Sequence, residues 1–152
     1  MSEPALTITR VFAAPRSLVF KLWTDPSHAV RWWGPTHHPA TLVELDPRPG
    51  GAWRACLRSV ETGKELWQHG VVREAVAPER LAFTFAWNEQ DLNDGLETLV
   101  TITFEEQDGK THMTMRQSPF RSIESRDGHN EGWNSAFDRL DVYLAREEVR
   151  AR

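Results

Sequence analysis

Between Ala40 and Ser118 the chain repeats one grammar: a segment in which apolar and polar side chains alternate, then a word of turn-forming residues. The alternating segments are Ala40 to Leu45, Ala52 to Val60, Glu65 to Ala77, Leu81 to Trp87, Leu96 to Glu106 and Lys110 to Ser118. Asp46-Pro47-Arg48-Pro49-Gly50-Gly51, Glu61-Thr62-Gly63-Lys64, Pro78-Glu79-Arg80 and the polar stretch Asn88 to Gly95 separate most of them. Asp108-Gly109, between two alternating segments, is a strong hairpin signal. A side-chain period of two puts successive residues on opposite faces of a strand, so this stretch reads as consecutive antiparallel strands with one apolar face to hide.

The flanks read differently. Ala5 to Phe12 alternates and forms a further strand, after which Pro15 begins a helix whose stripe is Leu18, Val19, Leu22 and Trp23. Asp25-Pro26 has the form of an N-cap followed by the first helical residue. It opens a short second helix carrying Ala29, Trp32 and Trp33, which Gly34-Pro35 stops. At the far end, Pro119 to Gly128 is polar and reads as irregular. Trp133, Phe137, Leu140 and Leu144 then recur at helical spacing, predicting an amphipathic helix of about 15 to 20 residues with Asp138, Arg139, Asp141 and Arg146 opposite. Strands bracketed by helices argue for an α+β fold: a curved antiparallel sheet of about six to seven strands, curled around the C-terminal helix to cover its apolar face. Residues 1–152 form one domain with its core over about 6–144, long enough to bury roughly two thirds of the unfolded surface.

The net charge of −4 and a pI of about 5.9, with basic residues scattered, give no electrostatic footprint for nucleic acid or an anionic membrane. No apolar run approaches the roughly 18 residues that span a bilayer, and Met1-Ser2-Glu3-Pro4 lacks the character of a signal peptide. The lone Cys56 has no intramolecular disulfide partner. A cytoplasmic setting is the expectation. The six histidines fall in no ligand spacing, and Gly50-Gly51 lacks the Lys-Ser/Thr of a phosphate loop, so neither a metal nor another cofactor is expected. Seven Trp and seven Phe stand against one Tyr, an aromatic set that is mostly apolar and suited to filling a core or lining a pocket.

Several words resemble those of the START/Bet-v-type helix-grip (SRPBCC) superfamily, and within it the branch similar to the C-terminal domain of the activator of the heat-shock-protein-90 ATPase. They are Thr9-Arg10-Val11-Phe12-Ala13-Ala14-Pro15-Arg16, Leu22-Trp23-Thr24-Asp25-Pro26, Arg31-Trp32-Trp33-Gly34-Pro35 and Pro49-Gly50-Gly51-Ala52-Trp53. Gly70-Val71-Val72-Arg73-Glu74, Pro78-Glu79-Arg80-Leu81-Ala82-Phe83-Thr84-Phe85 and Gly132-Trp133-Asn134-Ser135-Ala136-Phe137-Asp138-Arg139-Leu140 complete the set. The likeness spans about Leu6 to Leu144. It implies a helix-grip fold and a cavity between sheet and C-terminal helix that holds a small apolar or aromatic ligand. The superfamily also contains polyketide cyclases, aromatases and hydrolase-type enzymes that use the same cavity, and co-chaperone-like interaction modules, so all three roles stay open.

If the sheet grips the last helix, the inward rows are Trp53, Ala55 and Leu57; Phe83, Phe85 and Trp87; Val100, Ile102 and Phe104; and Met113 with Met115. They face Trp133, Phe137 and Leu140, and the same residues serve either a pocket or a solid core. Trp32 and Trp33 either both anchor their helix, or one of them reaches the cavity mouth, since neighbours on a helix point about 100° apart. In the segment from Glu65, either Trp67, His69 and Val71 face inward, or Gly70, Val72, Glu74 and Val76 do. The family word favours the second row, which would bring Glu74 to the pocket. Arg10, Glu74 and Thr103 are candidates to orient a ligand, and Glu74, His69 and His112 are the candidates for acid–base work. Cys56 alternates with Ala55 and Leu57 and reads as an inert thiol. Gly132 reads as a packing glycine at the start of the last helix. An exposed edge strand or outward Trp67 would suit a homodimer.

Overall fold

The computed structural model describes residues 4–89 and 92–151. Strand β1 (Leu6–Phe12) is followed by helices α1 (Arg16–Thr24) and α2 (Pro26–Ala29). Strands β2 (Ala40–Leu45), β3 (Ala52–Arg58), β4 (Glu65–Val76), β5 (Arg80–Trp87), β6 (Thr98–Gln107) and β7 (Lys110–Ser118) then lead to helix α3 (Ile123–Ala151). The strands form one seven-stranded sheet in the order β1-β7-β6-β5-β4-β3-β2, with antiparallel neighbours throughout. β1 thus joins the end of the sheet opposite to its chain neighbour β2, and α1, α2 and α3 lie against the inner face. The α+β order expected from the residues, and the helix-grip arrangement that the resemblance implies, are present.

Local chemistry sets the joints. Asp108 and Gly109, with φ of 54° and 76°, make the two-residue turn that pairs Gln107 with Lys110. Asp25 caps α2 by accepting from the Ser27 amide at 3.0 Å, with Pro26 in the first helical position. Pro15 itself stands at the cap of α1, one residue before the expected start. Gly70 is required where it is, because a Cβ there would overlap the Thr84 carbonyl and the Trp53 indole, which lies across it and donates to that same carbonyl at 2.8 Å.

Larger features also differ from expectation. The register between β4 and β5 shifts between Val72 and Glu74, a bulge that reverses the alternation. Gln68 and Val72 face the core as the favoured row requires, but Glu74 and Val76 are exposed. Glu74 instead pairs with Arg80 at 2.7 Å on the outer face. In addition, α3 is 29 residues long and begins at Ile123, inside the stretch that read as irregular. Ser122 supplies its cap, accepting from the Ser125 amide at 3.0 Å. Conversely α2 ends at Ala29, and Trp32 and Trp33 sit in the turn beyond it.

The core is dominated by rings. Trp23 is its hub, with Trp32, Trp33, Phe83, Trp133 and Phe137 around it at centroid distances of 4.7 to 6.4 Å. Two arginines tie α3 to the rest. Arg10, on the inner face of β1, reaches Asp138 at 2.7 Å and Asp141 at 3.3 Å. Arg139, expected on the solvent side, donates to the carbonyls of Arg31, Trp32, Trp33 and Gly34 at 2.7 to 3.3 Å. Those carbonyls end the α2 turn and have lost their helical partners, so a cation is the natural group to satisfy them.

Candidate functional site

The inner face is not filled evenly. Towards its C-terminus α3 presents Phe137, Leu140 and Leu144, all buried. Towards its N-terminus the residues facing the sheet are Ser125, Gly128, Gly132 and Ala136, at three- and four-residue spacing with His129 and Trp133 beside them. Small side chains cannot span the gap to the sheet. A cavity of about 580 Å³ results, within the roughly 300–1,000 Å³ typical of small-molecule sites. A Cβ built on Gly128 or Gly132 meets nothing within 4 Å. Gly132 therefore lies inside the helix and faces open space, which overturns its reading as a packing glycine at the helix start.

Leu57, Leu66, Gln68, Phe85 and Trp87 form the sheet wall of this cavity, the segment from Trp33 to His38 one end, and Leu92 with Asn93 the other. Of the residues expected to contact a ligand, the structure brings five to it: Trp33, Leu57, Phe85, Trp87 and Trp133. Trp32 and Trp33 divide their work. Trp32 is fully buried and donates to the Leu22 carbonyl at 3.0 Å, while Trp33 faces the cavity.

The other expected contacts belong to the packed core. Trp53 and Phe83 border a separate apolar void of about 20 Å³. Ala55, Val72, Ile102, Met113, Met115, Phe137 and Leu140 are buried and do not line the large cavity. They stand against the part of the inner face that large side chains do fill. The acid–base candidates are on the other side of the sheet. Glu74 is turned out by the bulge, and His69 is exposed against the Asn88 amide oxygen. His112 alternates with the buried Thr111 and Met113 and pairs across to Val11 and Glu105. Thr103 also points outward, and Arg10 is engaged by α3. Cys56 is buried away from the Ala55 row, and burial pushes its thiol up, the direction of an unreactive sulfur.

The polar groups that do reach the cavity are held in defined states. Trp indole N–H groups only donate, so each one fixes its partner. Trp87 donates to His129 Nε2 at 2.8 Å, and His129 Nδ1 lies 2.7 Å from the Ser125 carbonyl. The ring must then carry its proton on Nδ1 and be neutral, and burial lowers its pKa in the same sense. Trp133 donates to Gln117 Oε1 at 2.8 Å, Gln117 donates to Thr98 at 2.9 Å, and Thr98 donates to the Phe85 carbonyl at 2.9 Å. Trp33 donates to Gln68 Oε1 at 2.9 Å. Asn93 Oδ1 accepts from the Arg121 amide at 2.7 Å and the Ser125 hydroxyl at 2.8 Å, which joins the loop before β6 to the start of α3.

Gln68, Asn93, Gly128 and His129 were outside the residues expected to contact a ligand, and Gly132 was read only as a packing glycine. Gln68 could have been found, because it shares parity with Gly70 and Val72. The small-residue spacing from Ser125 to Ala136 was the signal for the rest, hidden because Pro119 to Gly128 is polar and read as irregular. Among the described residues there is no group of three or more His, Cys, Asp or Glu able to hold a metal ion. No described helix is long and apolar enough to cross a membrane.

Comparison with known proteins agrees with this architecture. Residues 13–145 match the model of the family described as activator of Hsp90 ATPase homolog 1-like protein. A solved protein of Mycobacterium smegmatis is 30% identical with a TM-score of 0.77, the match covering 92% of this chain and 90% of that one. The AHSA1 protein of Silicibacter pomeroyi is 26% identical with a TM-score of 0.83, over 95% and 99% of the two chains. A Chromobacterium violaceum protein, at 22% identity and a TM-score of 0.84 over 91% and 94%, shares the fold. No curated protein matches the chain.

Proposed function

The chain belongs to the family of activator of Hsp90 ATPase homolog 1-like proteins, and from that premise we propose that it is a binding protein for a small, largely apolar ligand held beneath the N-terminal half of α3. The observation that carries this reading is the cavity itself. Two adjacent helical turns spend glycine on the side facing the sheet, at roughly 1 kcal/mol each relative to alanine, and thereby keep about 580 Å³ open beside Trp33, Phe85, Trp87 and Trp133. A void of that size lined by aromatic carbon forfeits the contacts a solid core would make, and a ligand of matching shape restores them.

Binding without turnover is the form of the proposal. Of the two histidines that line the cavity, His129 on the helix wall has both ring nitrogens engaged, so neither is available to take a substrate proton, and His38 stands at the end formed by Trp33 to His38. The test is native mass spectrometry of protein purified without detergent, followed by solvent extraction. A single compound present at up to one copy per chain and released on unfolding is the expected result. A protein that carries nothing and fails to saturate with any apolar aromatic probe would overturn the reading.

A further inference from the structure

We propose that the cavity selects neutral, ring-based molecules carrying a carbonyl-type acceptor oxygen, and that the carboxamide N–H groups of Gln68 and Asn93 are the donors that select them. This rests on the binding role proposed above and adds the class of ligand.

Gln68 is 5% exposed and Asn93 8%, so both are effectively part of the wall. An indole N–H can only donate, so Trp33 forces Gln68 to turn its oxygen towards it and its NH₂ the other way. A backbone N–H fixes Asn93 in the same manner, with Oδ1 on the Arg121 amide. Neither NH₂ group has a partner among the described residues. Trp23 Nε1 is the only side-chain nitrogen or oxygen among them that is both sealed from solvent and unpartnered. The two amide nitrogens are therefore not sealed, and the space they open on is the cavity that both residues line.

The remaining buried polar groups of the wall are already spoken for. The indole N–H groups of Trp33, Trp87 and Trp133 are each committed to a protein acceptor, as are both nitrogens of His129. What is left for a ligand between sheet and helix is two donors set in aromatic carbon, with the half-buried His38 at the end formed by Trp33 to His38. A ligand without an acceptor leaves them unpaired on desolvation, which is the larger penalty. A carboxylate would satisfy them but would enter a wall with no buried cation. Arg121 and Glu124, both exposed, stand at the rim with opposite charges.

The test uses three probes of one skeleton: 9-fluorenone, fluorene, and fluorene-9-carboxylate, titrated by calorimetry and by ¹⁵N-resolved side-chain amide signals. Fluorenone is expected to bind about tenfold more tightly than fluorene, although it is the more polar solute, and to shift the Gln68 and Asn93 NH₂ resonances. Gln68→Glu keeps an acceptor for Trp33 but removes the donor, and Gln68→Met removes both; each should erase most of the ketone's advantage while fluorene still binds. Equal affinity for ketone and hydrocarbon would overturn the donor assignment and leave the cavity reading standing, and the same holds if the carboxylate binds tightest. Failure of all three probes would overturn both.

Discussion

Arg139 and Arg10 both fasten α3, yet their partners predict different behaviour. Arg10 meets carboxylates that are half or more exposed and can return to water, so Arg10→Met should cost about 1 kcal/mol or less and the cost should shrink in 1 M salt. Arg139 satisfies main-chain carbonyls at the end of the α2 turn, and burial lowers its pKa, a sign of the desolvation it has accepted there. Arg139→Met should cost about 2 kcal/mol, with little salt dependence, because the carbonyls of Arg31, Trp32 and Gly34 lose their donor while that of Trp33 keeps only the Ala40 amide. Urea unfolding at low and high salt separates the two. His129 gives a pH signature. The native state holds the ring neutral, so as pH falls below about 6.5 the unfolded chain takes up a proton that the native chain refuses, and stability declines. The fall in Tm between pH 7.5 and 5.5 should be shallower in His129→Gln than in the parent. Equal slopes would show that the ring is not held neutral.

At the scale of elements, α3 is two helices in one. Its C-terminal half is core, and Phe137→Ala should cost about 3–5 kcal/mol. Its N-terminal half is a roof over open space, where Gly128→Ala and Gly132→Ala should each gain up to about 1 kcal/mol, raising Tm by about 2–4 °C apiece. Thermal unfolding of the four chains checks the contrast, and a loss of stability on adding either methyl would mean the space is not there. The same division explains what could be read from sequence. The succession of strands along the chain, the Asp108-Gly109 hairpin and inward parity follow from turn words and an alternation that burial enforces, so Phe83, Phe85, Ile102 and Met113 were legible. Glu74 was misplaced because a bulge depends on pairing with β5, and pairing is not a local property. The roof of the cavity was missed because periodicity detects what is apolar, and here the informative residues are ones that lack a side chain.

For the whole molecule, the sheet, its aromatic hub and the C-terminal half of α3 form a packed frame, and the site occupies a large part of the inner face that the frame leaves unfilled among the described residues. Stability and capacity for ligand should therefore trade against each other at Gly132 rather than rise and fall together. The decisive measurement is the binding of a neutral fluorescent probe, N-phenyl-1-naphthylamine, to the parent protein and to Gly132→Phe, with thermal stability followed in both. The account predicts saturable binding of one probe per chain in the parent, and a variant that is folded, at least as stable, and unable to bind. A folded Gly132→Phe that takes up the probe with the parent's affinity would contradict it, because the ligand would then lie somewhere other than beneath this turn of α3.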